Sequence, residues 1–146
     1  MATFEIKVFI NRSVEDVFNF IANAENTTRW RTSTLEVKRT SDEPIRAGSV
    51  FRCRFAFLGR PFDANLVVTA HEPYHRYGSR MVEGPFPLEA SYTLTPENNG
   101  TNLSLVVDGS PGGFFKLAEP LVVSLAKRSY ESDLQNLKEL FDRRAI

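Results

Sequence analysis

One cysteine, two histidines, two methionines and one tryptophan are all that the 146-residue chain holds of those types. A lone Cys53 cannot close an internal disulfide, which excludes the stapled, coreless class of small secreted domains. Its place between phenylalanines is that of a small buried hydrophobe rather than a nucleophile. An excess of either charge is also missing: eighteen Lys and Arg balance eighteen Asp and Glu, and no basic run occurs. The electrostatic footprint of a nucleic-acid or anionic-membrane binder is therefore absent. No apolar run approaches a membrane span, and Glu5 and Lys7 interrupt the N-terminal apolar stretch, which excludes a signal-peptide core. The expectation is a cytoplasmic chain with no membrane span and no nucleic-acid partner.

Chemical signatures are scarce too. There is no Gly-x-Ser-x-Gly elbow and no metalloprotease motif. Gly109-Ser110-Pro111-Gly112-Gly113 matches no nucleotide fingerprint, and Pro111 removes an N–H that phosphate binding needs. His71 and His75 flank Glu72, but alternation puts His71 on the outer face with Val67 and Thr69, and a third strong ligand is missing. They read as a surface pair, so neither metal nor cofactor is expected. Among the carboxylates, Asp63 faces outward by parity, while Glu83 is in register with Ser79 and Met81. If the protein is an enzyme, Glu83 is the first candidate for an acid or base.

What the chain does contain is alternation. Phe4, Ile6, Val8 and Ile10 mark a half-buried strand; Ser13, with Glu15 and Asp16 behind it, reads as an N-cap, and Val14, Val17, Phe18 and Ile21 form a helical stripe. Residues 23–29 allow one more helical turn before Trp30, and Leu35 and Val37 begin a second strand. Strands at 50–58, 62–71, 76–83, 88–95 and 101–108 follow, joined by short turns built on Gly59, Pro73, Gly84 with Pro85 and Pro87, and Asn98-Asn99-Gly100. After Gly113 the period changes: Leu117, Leu121, Leu125, Leu134, Leu137 and Phe141 recur at helical spacing, with Pro120 near the helix start. The expectation is one α+β domain over residues 1–146. A seven-stranded antiparallel sheet carries two short helices after its first strand and a long C-terminal helix, and at this length roughly 70% of the unfolded surface can be buried.

The run FRCRFAFLGRPF, Phe51 to Phe62, poses the functional question. By parity Phe51, Phe55, Phe57, Phe62, Leu66 and Val68 share the dry face with Tyr77, Met81, Tyr92, Leu94, Leu103 and Leu105, opposite Leu117, Leu121 and Leu125 of the helix. Such a set fills a core as readily as it lines a pocket. In a meander, the loops at Gly59, at 84–87 with Phe86 at the tip, and at 109–113 fall at one end of the sheet, the candidate mouth of a pocket.

The order of elements resembles the START-like, or SRPBCC, superfamily, and within it the polyketide cyclase/dehydrase and lipid-transport family. The resemblance is carried by Ser13 to Phe18 after a strand, by Trp30, Leu58-Gly59-Arg60 and Glu72-Pro73, by Tyr92 to Pro96 with Gly100-Thr101 behind it, and by the ending Leu134 to Phe141. It covers nearly the whole chain. It implies a helix-grip fold, in which a curved sheet wraps the long helix and leaves an apolar cavity. The ligand-binding residues are then expected among Phe55, Phe57, Phe62, Leu66, Val68, Tyr77, Met81, Phe86, Tyr92, Leu105, Leu117, Leu121 and Leu125. The partner so implied is a small hydrophobic molecule of lipid, polyketide or isoprenoid type. A cyclase or dehydratase using the same cavity, and a quinone-chaperone or protein-binding role, are the alternatives. Oligomeric state stays open.

Overall fold

Ser13 caps the first helix as its place ahead of two acids predicts: its Oγ accepts the Asp16 backbone N–H at 3.2 Å, and Glu15 and Asp16 sit at the positive end of the helix dipole. The computed structural model describes residues 2–41, 44–57, 59–83, 88–109 and 119–143, with the side chains of residues 2, 57 and 119–122 outside that description. Strand β1 (Ala2–Ile10) leads into α1 (Val14–Ile21) and a 3-10 helix (Ala24–Arg29). Strands β2 (Thr34–Arg39), β3 (Val50–Phe57), β4 (Arg60–Glu72), β5 (Arg76–Val82), β6 (Leu88–Glu97) and β7 (Gly100–Gly109) follow, and α2 (Glu119–Asp142) comes last. All neighbours pair antiparallel, in the order β1-β7-β6-β5-β4-β3-β2. This is the α+β helix-grip arrangement that the sequence predicts.

Local chemistry explains the turns. Asn98 and Asn99, with φ of 49° and 63°, form a two-residue loop whose twist matches that of β6 and β7. Gly59 takes φ of +78° between β3 and β4. Tyr74 occupies the same left-handed region without being glycine, at φ 68°, and its ring meets Phe18 edge-on at 5.8 Å.

Two irregularities defeat strict alternation. In β4 one extra residue stands between Val68, opposite Ser79, and Ala70, opposite Gly78, so that His71 lies opposite Tyr77. His71, expected on the outer face, turns inward: its ring meets Phe18 at 5.3 Å and Tyr77 at 6.4 Å. Gly78 completes the bulge, because a Cβ there would stand 2.9 Å from Thr69 Oγ1. In β2 the register shifts between Thr34 and Glu36; Leu35 is left 53% exposed while Val37 is buried.

The solid core occupies one end of the sheet. Ile10 of β1, Phe51 of β3, Leu94 of β6 and Leu103 and Leu105 of β7 are buried there. Val17, Phe18 and Ile21 of α1 and Leu134, Leu137 and Phe141 of α2 close over them. Gly100 starts β7 under this packing, where a Cβ would lie 2.5 Å from Phe9 Cζ and 2.7 Å from the Ile10 carbonyl oxygen. Because backbone is one of the obstacles, Gly100→Ala is expected to cost about 1–3 kcal/mol, seen as a fall of several degrees in Tm. An unchanged Tm would show that the β1–β7 seam yields more easily than its packing indicates.

Candidate functional site

Each strand that enters the core leaves it again, and the inward residues beyond that point face a cavity of about 400 Å³. Along β7, Leu103 and Leu105 are packed but Val107 and Gly109 line the space; along β6, Leu94 is packed but Tyr92, Ala90 and Leu88 line it. Tyr77, Ser79 and Met81 of β5 continue the wall. Opposite them stand Val123, Leu125, Ala126, Ser129 and Tyr130, from the half of α2 that precedes its core-packing residues. The phenylalanine face is thus both things the sequence allows: Phe51 is core, and Phe55 is cavity wall. The lining ends of β3, β5, β6 and β7 are those next to residue 58, residues 84–87 and residues 110–118, the end where the topology places a mouth. Those loop residues lie outside the described residues.

Of the residues expected to bind ligand, the structure brings Phe55, Leu66, Tyr77, Met81, Tyr92 and Leu125 together on the wall. Phe62 is half-buried beside it, its ring 6.0 Å from that of Phe55. Val68 and Leu105 do not reach the cavity: both point inward as alternation requires but sit deeper, within the filled end. Phe86, Leu117 and the side chains of Phe57 and Leu121 lie outside the described residues. Glu83 is exposed and not on the wall, since the chain leaves β5 at Val82 and takes φ of 52° at Glu83. Its carboxylate accepts from Asn65 Nδ2 at 2.8 Å. Among the described residues no group of three His, Cys, Asp or Glu is placed to hold a metal, and no helix is long and apolar enough to cross a membrane.

The polar part of the wall includes Arg31 and the hydroxyls of Tyr77, Ser79 and Tyr92, and Trp30 lines the same space. Helix α2 holds this segment with two side chains one turn apart: Asn136 Nδ2 donates to the Trp30 carbonyl at 3.3 Å, and Asp133 accepts from the Thr32 N–H at 3.3 Å and from Arg31 Nε at 3.1 Å. The Arg31 guanidinium lies 3.8 Å from the centre of the Tyr130 ring. Burial alone would lower the pKa of Arg31, but the phenols of Tyr130 and Tyr92 and the Asp133 carboxylate outweigh it, and the net direction is up. Arg31 is charged. The sequence does carry a signal for this pair: Asp133 falls within the apolar stripe of Tyr130, Leu134, Leu137 and Phe141, where an acid needs a partner.

Three aromatic rings follow one another along the wall. Trp30 meets Tyr92 edge-on at 6.4 Å, and Tyr92 stacks on Tyr77 at 6.4 Å. Burial pushes the Tyr77 phenol up to about 12 and that of Tyr92 up as well, so both are neutral hydrogen-bond donors at ordinary pH. Burial likewise pushes the Cys53 thiol up to about 11, which makes a thiolate nucleophile unfavourable there.

Comparison with known proteins agrees with this geometry. The family described as polyketide cyclase/dehydrase and lipid transport matches residues 1–142. A search of curated proteins finds no match. Among solved structures, TTHA0849 from Thermus thermophilus superposes with a TM-score of 0.84 at 19% identity, covering 99% of each chain. A START superfamily protein from Mycobacterium smegmatis gives 0.82 at 16% identity, covering 98% of this chain and 99% of that one. The ZhuI aromatase/cyclase from Streptomyces sp. R1128 gives 0.82 at 16%, covering 99% and 95%. At such identities the likeness is one of fold.

Tyr77 supplies a test of the wall's dryness. Its pKa in the folded state lies above the ordinary phenol value of 10.0, so its contribution to stability is full below pH 10 and is lost as pH rises towards 12. Tyr77→Phe keeps the ring and removes the proton. The variant is expected to lose stability less steeply over that window, by up to about 2 kcal/mol, in denaturant melts at stepped pH. Parallel curves for the two proteins would mean that water reaches the phenol.

Proposed function

This chain belongs to the polyketide cyclase/dehydrase and lipid-transport family, and from that premise we propose that it encloses a small hydrophobic molecule of lipid, polyketide or isoprenoid type in the cavity between the sheet and α2. The observation that carries the reading is the wall: about 400 Å³ of space bounded mostly by apolar side chains, with a few hydroxyls and one guanidinium among them. Affinity comes from desolvating apolar surface at roughly 25 cal/mol per Å², less the cost of association. Binding is favoured over turnover because the described wall carries no carboxylate or imidazole, and Glu83, the candidate acid or base, is exposed away from it.

Trp30 lines the cavity and is 4% exposed, so it reports on occupancy without added dye. Titrating fatty acids, isoprenoids and aromatic polyketides into delipidated protein is expected to shift its emission saturably, near one ligand per chain, and to raise Tm. Ala90→Phe, which projects a ring into the space from β6, is expected to weaken binding at least about tenfold while leaving Tm unchanged or higher. A panel with neither a saturable shift nor a rise in Tm would count against a ligand cavity. A polyketide turnover lost in Glu83→Gln would move the assignment to a cyclase or dehydratase.

A further inference from the structure

Arg31 is the one charged residue among the described residues that line the cavity. A guanidinium in a mostly apolar wall is costly unless it is paired and hydrogen-bonded. Its partner does not share the position: Asp133 is 1% exposed, does not line the cavity, and is met from behind by the Thr32 N–H at 3.3 Å and the Thr32 hydroxyl at 3.4 Å as well as by Arg31 Nε at 3.1 Å. A guanidinium has five N–H donors in a rigid fork, and Nε provides one of them. The two terminal nitrogens carry the other four; a side-chain hydrogen bond with Tyr130, whose ring centre is 3.8 Å from the guanidinium carbon, takes up part of that capacity and leaves the rest on a residue that lines the space. Fastening α2 to residues 30–32 does not by itself call for a charge, since Asn136 does the same for the Trp30 carbonyl with a neutral amide at 3.3 Å.

We propose that the enclosed molecule carries an acidic oxygen, a carboxylate or the oxyanion of an enol or phenol, and that the terminal nitrogens of Arg31 receive it while the apolar body lies against Leu66, Met81, Leu88 and Val107. The inference rests on the cavity being a ligand site and adds the ligand's chemical class and orientation. The planar fork suits an oxygen pair better than a single hydroxyl does, and the neutral phenol of Tyr92, which lies close enough to act on the Arg31 charge, is a further donor to the same oxygen. Because Asp133 offsets the charge of Arg31, the gain comes from directed hydrogen bonds rather than from net attraction. Its expected size is about ten- to a hundredfold in affinity.

Paired ligands separate this inference from the reading beneath it. At pH 8, dodecanoic acid and 1-dodecanol form one pair, and 2-hydroxy-1,4-naphthoquinone and its methyl ether form the other, each followed by calorimetry and by Tm. The acidic member of at least one pair is expected to bind at least about tenfold more tightly than its neutral partner, and the pair that shows it identifies a carboxylate or an enolate source. The double variant Arg31→Met with Asp133→Asn removes both charges, so neither is left buried alone. It is expected to lose the preference for the acidic member, whereas Arg31→Lys keeps a reduced one. Neutral partners that bind as tightly as the acids, or a preference that survives the double variant, overturn the inference and leave the cavity reading intact. If none of the four binds, both fall. Should the double variant fail to fold, the wild-type pairs together with Arg31→Lys decide the matter.

Discussion

A single straight helix cannot fill the hollow of a seven-stranded sheet, and the layout of this protein follows from how that shortage is distributed. The buried residues of α2 from Leu134 to Phe141 join α1 and the inner faces of β1, β6 and β7 in continuous packing. Val123, Leu125, Ala126, Ser129 and Tyr130 line the cavity instead. Filling one end well leaves the other unfilled. The two ends then have different energetics: removing methylenes from the first creates a cavity at a cost of several kcal/mol, whereas adding them to the second occupies one that exists.

The junction between the two ends carries a charge pair that ties the helix to residue 31. Arg31 and Asp133 stand where α2 passes from core to cavity, and together with Asn136 they hold the segment that positions Trp30. A pair of this kind is a poor source of stability, because desolvation consumes most of its Coulombic gain, yet losing one member costs about 3–5 kcal/mol. Its value lies in geometry. It fixes a polar group and an indole at one place on an apolar wall, against a helix anchored by its own hydrophobic residues.

Much of this was legible in the sequence. The alternation of Phe51, Cys53 and Phe55, the paired asparagines at 98 and 99 and the Ser13 cap act through nearest neighbours, and the strands, turns and first helix stand where those patterns put them. The end of the sheet that holds the cavity followed from hairpin parity. Depth did not: Leu66 and Val68 share a face, but only the closing helix decides that one lines the cavity and the other is packed. Nor did the bulge at Thr69, which turns His71 inward, or the left-handed Glu83, since each breaks the period on which the expectation rested. Arg31 was silent because its partner is 102 residues away. Asp133, set in an apolar stripe, was the trace it left.

The uneven filling of the sheet also makes volume a variable that distinguishes the two ends. Hydrostatic pressure favours whichever state eliminates internal voids, and the cavity described above lies where α2 has left its core-packing residues. Compression therefore acts first on the strand ends around Leu88, Val107 and Phe55, while the packed end, already near the density of an organic crystal, has little volume to give up. A molecule that occupies the cavity removes that asymmetry. Occupancy and barostability are in this sense one property, and a protein of this design is as incompressible as what it holds.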